Sequence, residues 1–224
     1  MILCNNRVKY IPNIFHYLAQ VTRQQPEVFE AEGGEKAHVA MMDYGVTNSL
    51  IGCLTRRGCK VTVLPADTAA EAVLAGGYDG AVLSNGPGDP VENVEIIAQV
   101  KKLYESDLPL FGFGLGHQLL ALATGAKTGK LAYGHRGGNI PVRDLEKGKI
   151  FITSQNHGYV VLEDSVDSAV AEVSHVNVND GSMEGLKYKR ANCFTMQYHP
   201  EGNKGPVETE YVFDRIAAIV GGDK

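Results

Sequence analysis

No stretch of this chain is apolar over the eighteen or more residues needed to span a bilayer; its longest hydrophobic runs are strand-sized. The opening MILCNNRVKYIPN has no basic segment ahead of an apolar one, so the pattern of a secretory signal is missing as well. Runs of lysine or arginine are absent. With a net charge of -5 and a pI near 5.8 there is no basic stripe, which argues against nucleic acid and anionic membrane surfaces as partners. Cysteine is sparse: Cys4, Cys53, Cys59 and Cys193 show neither C-x-x-C spacing nor disulfide density. That points to buried reduced thiols and away from a structural zinc site. Repeats and low-complexity segments are missing too. We expect a cytoplasmic protein with no metal and no cofactor.

What is present suits one sizeable core. The chain has 224 residues, 44% of them hydrophobic and 21% charged, which makes a single domain the default. HVAMMDYG (His38 to Gly45) and KVTVLPA (Lys60 to Ala66) read as buried strands, and Val46 to Arg57 between them has apolar residues at helical spacing. The alternation continues with a helix over 68–75, a strand DGAVLSNGPG from Asp79, a helix over 91–104 and a strand LPLFGFG. This predicts an α/β fold with an open, mostly parallel but mixed sheet covered by helices on both faces, a flavodoxin-like three-layer arrangement. After Gly125 the texture changes to strand-like segments with short connections, KIFITSQNHGYVVLEDS, AVAEVSHVNV, EGLKY and CFTMQYHPE, before a last helix over 206–220. Residues 1–35 differ again. PNIFHYLAQV can form a short amphipathic helix, TRQQPEVFEAEGGEK reads as polar linker, and the main domain is expected over 36–224.

The stretch PLFGFGLGHQLLALATGA, Pro109 to Ala126, poses the chemical question. A dinucleotide fingerprint needs G-x-G-x-x-G after the first strand, whereas GFGLG has the spacing G-x-G-x-G after the fourth. What remains is a strand, a tight turn with small residues around its apex, and a helix. That is the form of a nucleophile elbow, or of a plain glycine-rich turn. Three other stretches bear on the choice. SNGPGDP ends a strand in a turn that exposes backbone N–H groups, SQNHGY is a polar cluster among apolar strands, and QYHPE sets His199 two residues before Glu201. A carboxylate so placed can orient the imidazole and leave its other nitrogen to face a nucleophile. The elbow's apex, however, is Gly114.

On these residues the chain resembles a class I glutamine amidotransferase domain, and more narrowly the glutaminase domain of the carbamoyl-phosphate synthase small chain. The family's elbow reads F-G-[IV]-C-L-G-H-Q with G-A-K-T soon after; here FGFGLGHQ is followed by GAKT. LSNGPGDP, GHRGGNIPV, TSQNHGY, HVNVNDGSMEG and HPEGNKGP extend the likeness from about His38 to Val220. The resemblance places the family's nucleophilic cysteine at Gly114, its general base at His199 and the orienting carboxylate at Glu201. It puts the oxyanion donors on the backbone N–H groups of Gly86 and Leu115, and substrate contacts on Gly88, Gln118, Asn156, Gly158 and Tyr159. In the family a thiolate attacks the carboxamide of glutamine, ammonia leaves, and water cleaves the thioester.

The resemblance therefore implies glutamine as ligand and a large synthetase chain as partner. Residues 1–35 are too few for the N-terminal domain that joins the family's small chain to that partner, so the usual assembly is not expected. Three readings follow: a degenerate glutaminase that keeps the pocket but lacks the nucleophile; an active enzyme using a displaced cysteine or carrying an introduced Gly114; and a noncatalytic interaction module. The first is favoured, because Phe113, Thr47 and Asn48 also depart from the family pattern.

Overall fold

The computed structural model describes residues 17–202 and 205–222. Five strands run parallel at the centre of a single ten-stranded sheet: β2 (Ala37–Asp43), β3 (Cys59–Pro65), β4 (Gly80–Leu83), β5 (Leu110–Phe113) and β10 (Cys193–Met196). All but a few of their residues are buried, since helices cover both faces, and this is why they read as continuous apolar runs. The remaining strands are β1 (Glu27–Phe29), β6 (Thr128–Asp144), β7 (Lys149–Val161), β8 (Ala171–Asn177) and β9 (Met183–Tyr188). The order across the sheet is β1-β3-β2-β4-β5-β10-β9-β8-β6-β7, with antiparallel pairing from β10 outward on one side and between β1 and β3 on the other.

One face of the sheet is covered by α1 (Leu18–Val21), α3 (Ala70–Ala75), α4 (Val94–Glu105) and α5 (Leu115–Ala123), which bury Leu18, Val73, Ile96, Leu103, Leu119 and their neighbours. The other is covered by α2 (Asn48–Thr55) and α6 (Tyr211–Val220), which bury Leu50, Leu54, Phe213 and Ile216. The last helix thus begins at Tyr211, five residues later than the apolar pattern suggests. Among the described residues no helix is long and apolar enough to cross a membrane.

Two stretches depart from the sequence-based expectation. Residues 27–29, inside the segment read as polar linker, pair with Val61–Val63 of β3 and extend the sheet by one edge strand. The segment is tied down by Arg23, whose backbone N–H and Nη1 both reach Asp43 Oδ2 at 2.9 Å. Of the expected helix in PNIFHYLAQV, Leu18–Val21 is helical and residues 12–16 lie outside the described residues, as does Cys4. The second departure is β6, seventeen residues with few apolar positions, which pairs along β7 with two register shifts.

The elbow stretch is packed backbone to backbone. A Cβ on Gly116 would lie 2.2 Å from the Leu83 carbonyl oxygen, so the start of α5 can sit against the end of β4 only without a side chain there. The Gly116 N–H donates to Ser84 O at 2.9 Å, and the Gly114 N–H donates to Met196 O at 2.9 Å. The turn is therefore fixed against both neighbouring strands.

His117, next along α5, is fully buried, with Nδ1 2.7 Å from Thr195 Oγ1 and Nε2 without a partner among the described residues. Burial, with a smaller contribution from the nearby His157, depresses its pKa from an ordinary 6.5 to about 3. Because the folded value lies below the unfolded one, the unfolded chain takes up this proton first. Stability is whole above pH 6.5 and declines as the pH falls toward 3, by up to about 5 kcal/mol from this group. Urea midpoints measured across that window should fall less steeply for His117→Gln than for the parent chain. Parallel slopes would refute this assignment.

Candidate active site

The carboxyl ends of the central parallel strands converge on one cleft, where ligands of open α/β sheets bind. It has a volume of about 680 Å³. The turn after β4 contributes Asn85, Gly86 and Gly88, the turn after β5 contributes Gly114 and Leu115, and the segment after β10 contributes Gln197 and His199. β7 closes the far wall with Asn156, Gly158 and Tyr159, and Gln118 projects from the first turn of α5. Nine of the ten residues singled out in the sequence thus line one cavity. The tenth, Glu201, stands behind His199.

Gly114 has φ 53° and ψ -111°, backbone that side-chain-bearing residues rarely adopt. This is the strained apex of an elbow, held by the two backbone bonds above. A Cβ built on it would point toward Asn85, 3.1 Å from its Cβ and 4.0 Å from the Gln197 carbonyl oxygen. The position could take a side chain with a shift of a few tenths of an ångström. Leu115 opens α5, so its N–H is one of the donors left without an intrahelical partner, and the residue lines the cleft. Gly86 has a different constraint: a Cβ there would lie 2.0 Å from Tyr44 O, so the NGPG turn packs against β2 only as glycine.

His199 is anchored through its N–H to Ser154 O at 2.9 Å, and its Nδ1 lies 3.1 Å from Glu201 Oε1. Glu201 is buried, and the Thr47 hydroxyl donates to the same Oε1 at 3.1 Å. Thr47 also caps α2 by accepting the Leu50 N–H, so one side chain links the start of that helix to the carboxylate. By sequence Thr47 is only a departure from the family pattern; its contact with Glu201 spans 154 residues and leaves no local signal. Gln118 has its amide nitrogen committed to Tyr159 O and Gln197 Oε1, both at 2.8 Å, which braces two walls against each other. Lys130, Arg136 and Tyr17 also line the cleft and were not singled out. Arg136 lay within the quoted GHRGGNIPV, whereas nothing in the sequence pointed to Tyr17.

None of the cysteines among the described residues lines this cleft. Cys53, Cys59 and Cys193 are buried, and desolvation pushes their thiols up, Cys53 to about 11 and Cys193 to about 12. Thiols held in that range are not nucleophiles near neutral pH.

The family model of class-I glutamine amidotransferases matches residues 40–219. The chain belongs to this family. Its curated relatives include the carbamoyl phosphate synthase small chain of Listeria monocytogenes, 43% identical over 216 residues, covering 93% of this chain and 59% of the relative. The small chain of Symbiobacterium thermophilum is 50% identical over 188 residues, covering 84% and 52%. The chain therefore spans between half and three-fifths of the length of these relatives. Among solved structures, a Thermoplasma acidophilum protein named for GMP synthase superposes with a TM-score of 0.72 at 19% identity. That match covers 84% of this chain and 95% of the other, and it shows the shared amidotransferase fold.

Proposed function

We propose that this amidotransferase domain binds glutamine in the cleft but cannot form the thioester, because the elbow apex is Gly114. The observation that carries the reading is the joint geometry of three elements. They are an elbow with φ 53° at a residue without a side chain, a histidine 3.1 Å from a buried glutamate on the adjacent strand end, and two glycine-shaped turns whose residues line the same cavity. Of the parts needed for acyl transfer through a thiolate, the base, its orienting carboxylate and the backbone donors have residues in place. The attacking sulfur alone has none.

Without it the oxyanion donors can still stabilise a tetrahedral state formed by water, worth about 10³ to 10⁴ over the uncatalysed reaction. That is negligible for a glutaminase. The name of the relatives places their chains in carbamoyl phosphate synthesis, and by that likeness the domain is a degenerate small-chain glutaminase whose remaining role is glutamine binding, with a large synthetase chain as its candidate partner. The raised thiols of Cys53, Cys59 and Cys193 count against an active site built on a displaced cysteine. Isothermal titration calorimetry tests the binding half directly: glutamine is expected to bind with a Kd of about 1 mM or tighter. Absence of heat at several millimolar, with glutamate as control, would remove that half of the proposal.

A further inference from the structure

At the β7 wall of the cleft, which His157 itself helps to line, His135 of β6, His157 of β7 and Glu184 of β9 bring one ligand atom each to within 4.8 Å of one another. The two histidines are register partners across the β6/β7 pairing, with ring centroids 4.8 Å apart and planes at 85°. We propose that these three side chains form a site for a borderline divalent transition metal, with zinc the best match. The site goes beyond glutamine binding and does not depend on it.

Both rings are held by oxygens outside the trio. His135 Nε2 lies 2.9 Å from Asp180 Oδ2, and His157 Nδ1 lies 2.9 Å from the Tyr159 carbonyl oxygen. Each imidazole thus gives one N–H to an oxygen and turns its other nitrogen away. That is how metal-bound histidines have their tautomer and ring plane fixed. On His135 the remaining nitrogen, Nδ1, is 3.2 Å from Glu184 Oε1 and 3.4 Å from Asn177 Nδ2. On His157 it is Nε2, 2.8 Å from Gln155 Oε1, while Gln155 spends its amide nitrogen on Thr153 Oγ1 at 3.0 Å. With Nδ1 already donating, the lone pair of a neutral His157 faces an amide oxygen. A neutral ring has no proton to give that oxygen, and a metal ion bound at Nε2 would meet its lone pair once Gln155 shifts.

Glu184 is short of partners. It is fully buried, its Oε1 accepts from Asn177 Nδ2 at 2.9 Å, and its Oε2 has no partner among the described residues. An ion pair between Glu184 and a protonated His135 accounts for Oε1 but leaves both Oε2 and the His157 lone pair unmet. Burying an unmatched carboxylate oxygen is costly, and a metal ion would satisfy it together with both rings. Two imidazoles and a carboxylate suit zinc better than calcium or magnesium, which favour all-oxygen shells. Tetrahedral ligand atoms around zinc stand about 3.3 Å apart, so the trio would close by about 1.5 Å at its widest, with Gln155 Oε1 or water as fourth ligand. The three residues lie on separate strands, which is why cysteine spacing alone led to an expectation of no metal.

Cobalt(II) is the probe. The full chain, stripped with chelator and checked for native circular dichroism, should bind one Co²⁺ with the strong visible bands of a tetrahedral site and no thiolate charge-transfer band, and Zn²⁺ should displace it. His135→Ala and Glu184→Gln should abolish those bands. Asp180→Asn, a change at a partly exposed carboxylate that leaves the core untouched, should weaken binding by about 10- to 100-fold. A folded parent chain that takes up no stoichiometric cobalt overturns the proposal. So does cobalt affinity unchanged in Asp180→Asn, or a spectrum dominated by thiolate bands.

Discussion

Gly114→Cys is expected to turn this chain into a glutaminase, with kcat for ammonia release from glutamine raised by about 10⁵ to 10⁶ over the parent, or about 7–8 kcal/mol of barrier. That magnitude is what loss of the nucleophile alone costs in a hydrolase whose remaining machinery is intact. In the proposed site that machinery would be His199, 3.1 Å from Glu201, and the backbone N–H groups of the cleft residues Gly86 and Leu115. The same substitution should make the protein less stable. The apex has φ 53°, and the new Cβ would press on Asn85 Cβ at 3.1 Å, so a loss of about 1–2 kcal/mol is expected. Activity and stability therefore move in opposite directions in one variant. Ammonia assays, mass-spectrometric capture of a glutamyl thioester after acid quench, and urea midpoints would together read both effects. A variant that folds, forms no thioester and releases no ammonia would mean that the cleft is not glutaminase machinery.

The parallel core was legible because its strands are buried on both faces and so appear as uninterrupted apolar runs: His38 to Gly45 was expected and Ala37–Asp43 is found, and LPLFGFG contains Leu110–Phe113. β6 was not legible for the opposite reason. It carries Gly129, Gly134, Gly137, Gly138 and Pro141, has little apolar alternation, and exists through its pairing with β7 rather than through any propensity of its own. The edge strand Glu27–Phe29 was hidden in the same way, a three-residue segment given shape by β3. Within the cleft, the turn residues were legible because each sits at a strand end with unusual backbone demands. Thr47 against Glu201, and the two histidines near Glu184, are contacts between distant strands and helices that no local spacing encodes.

In the Gly114→Cys background, His199→Ala should lower kcat by about 10⁵ to 10⁶, whereas Glu201→Gln should lower it by about 10⁴. The base must take the thiol proton and return it to departing ammonia, so its removal leaves the sulfur unactivated and the leaving group unprotonated. Glu201 acts one step removed: its Oε1, 3.1 Å from His199 Nδ1, fixes the tautomer that leaves Nε2 free to face the sulfur. His199 is also held by its N–H bond to Ser154 O, and Gln at 201 can still accept from Thr47, so ring placement outlasts the loss of charge. Hence the smaller effect. Since the three groups act as a unit, the losses should fall far short of adding in the double variant. A His-Pro-Glu turn that merely closes the fold predicts a different pattern, in which both substitutions lower the urea midpoint by similar amounts and leave kcat per folded molecule nearly unchanged. Measuring kcat and midpoint on the same samples separates the two, because only a triad ranks histidine above glutamate in rate while sparing stability.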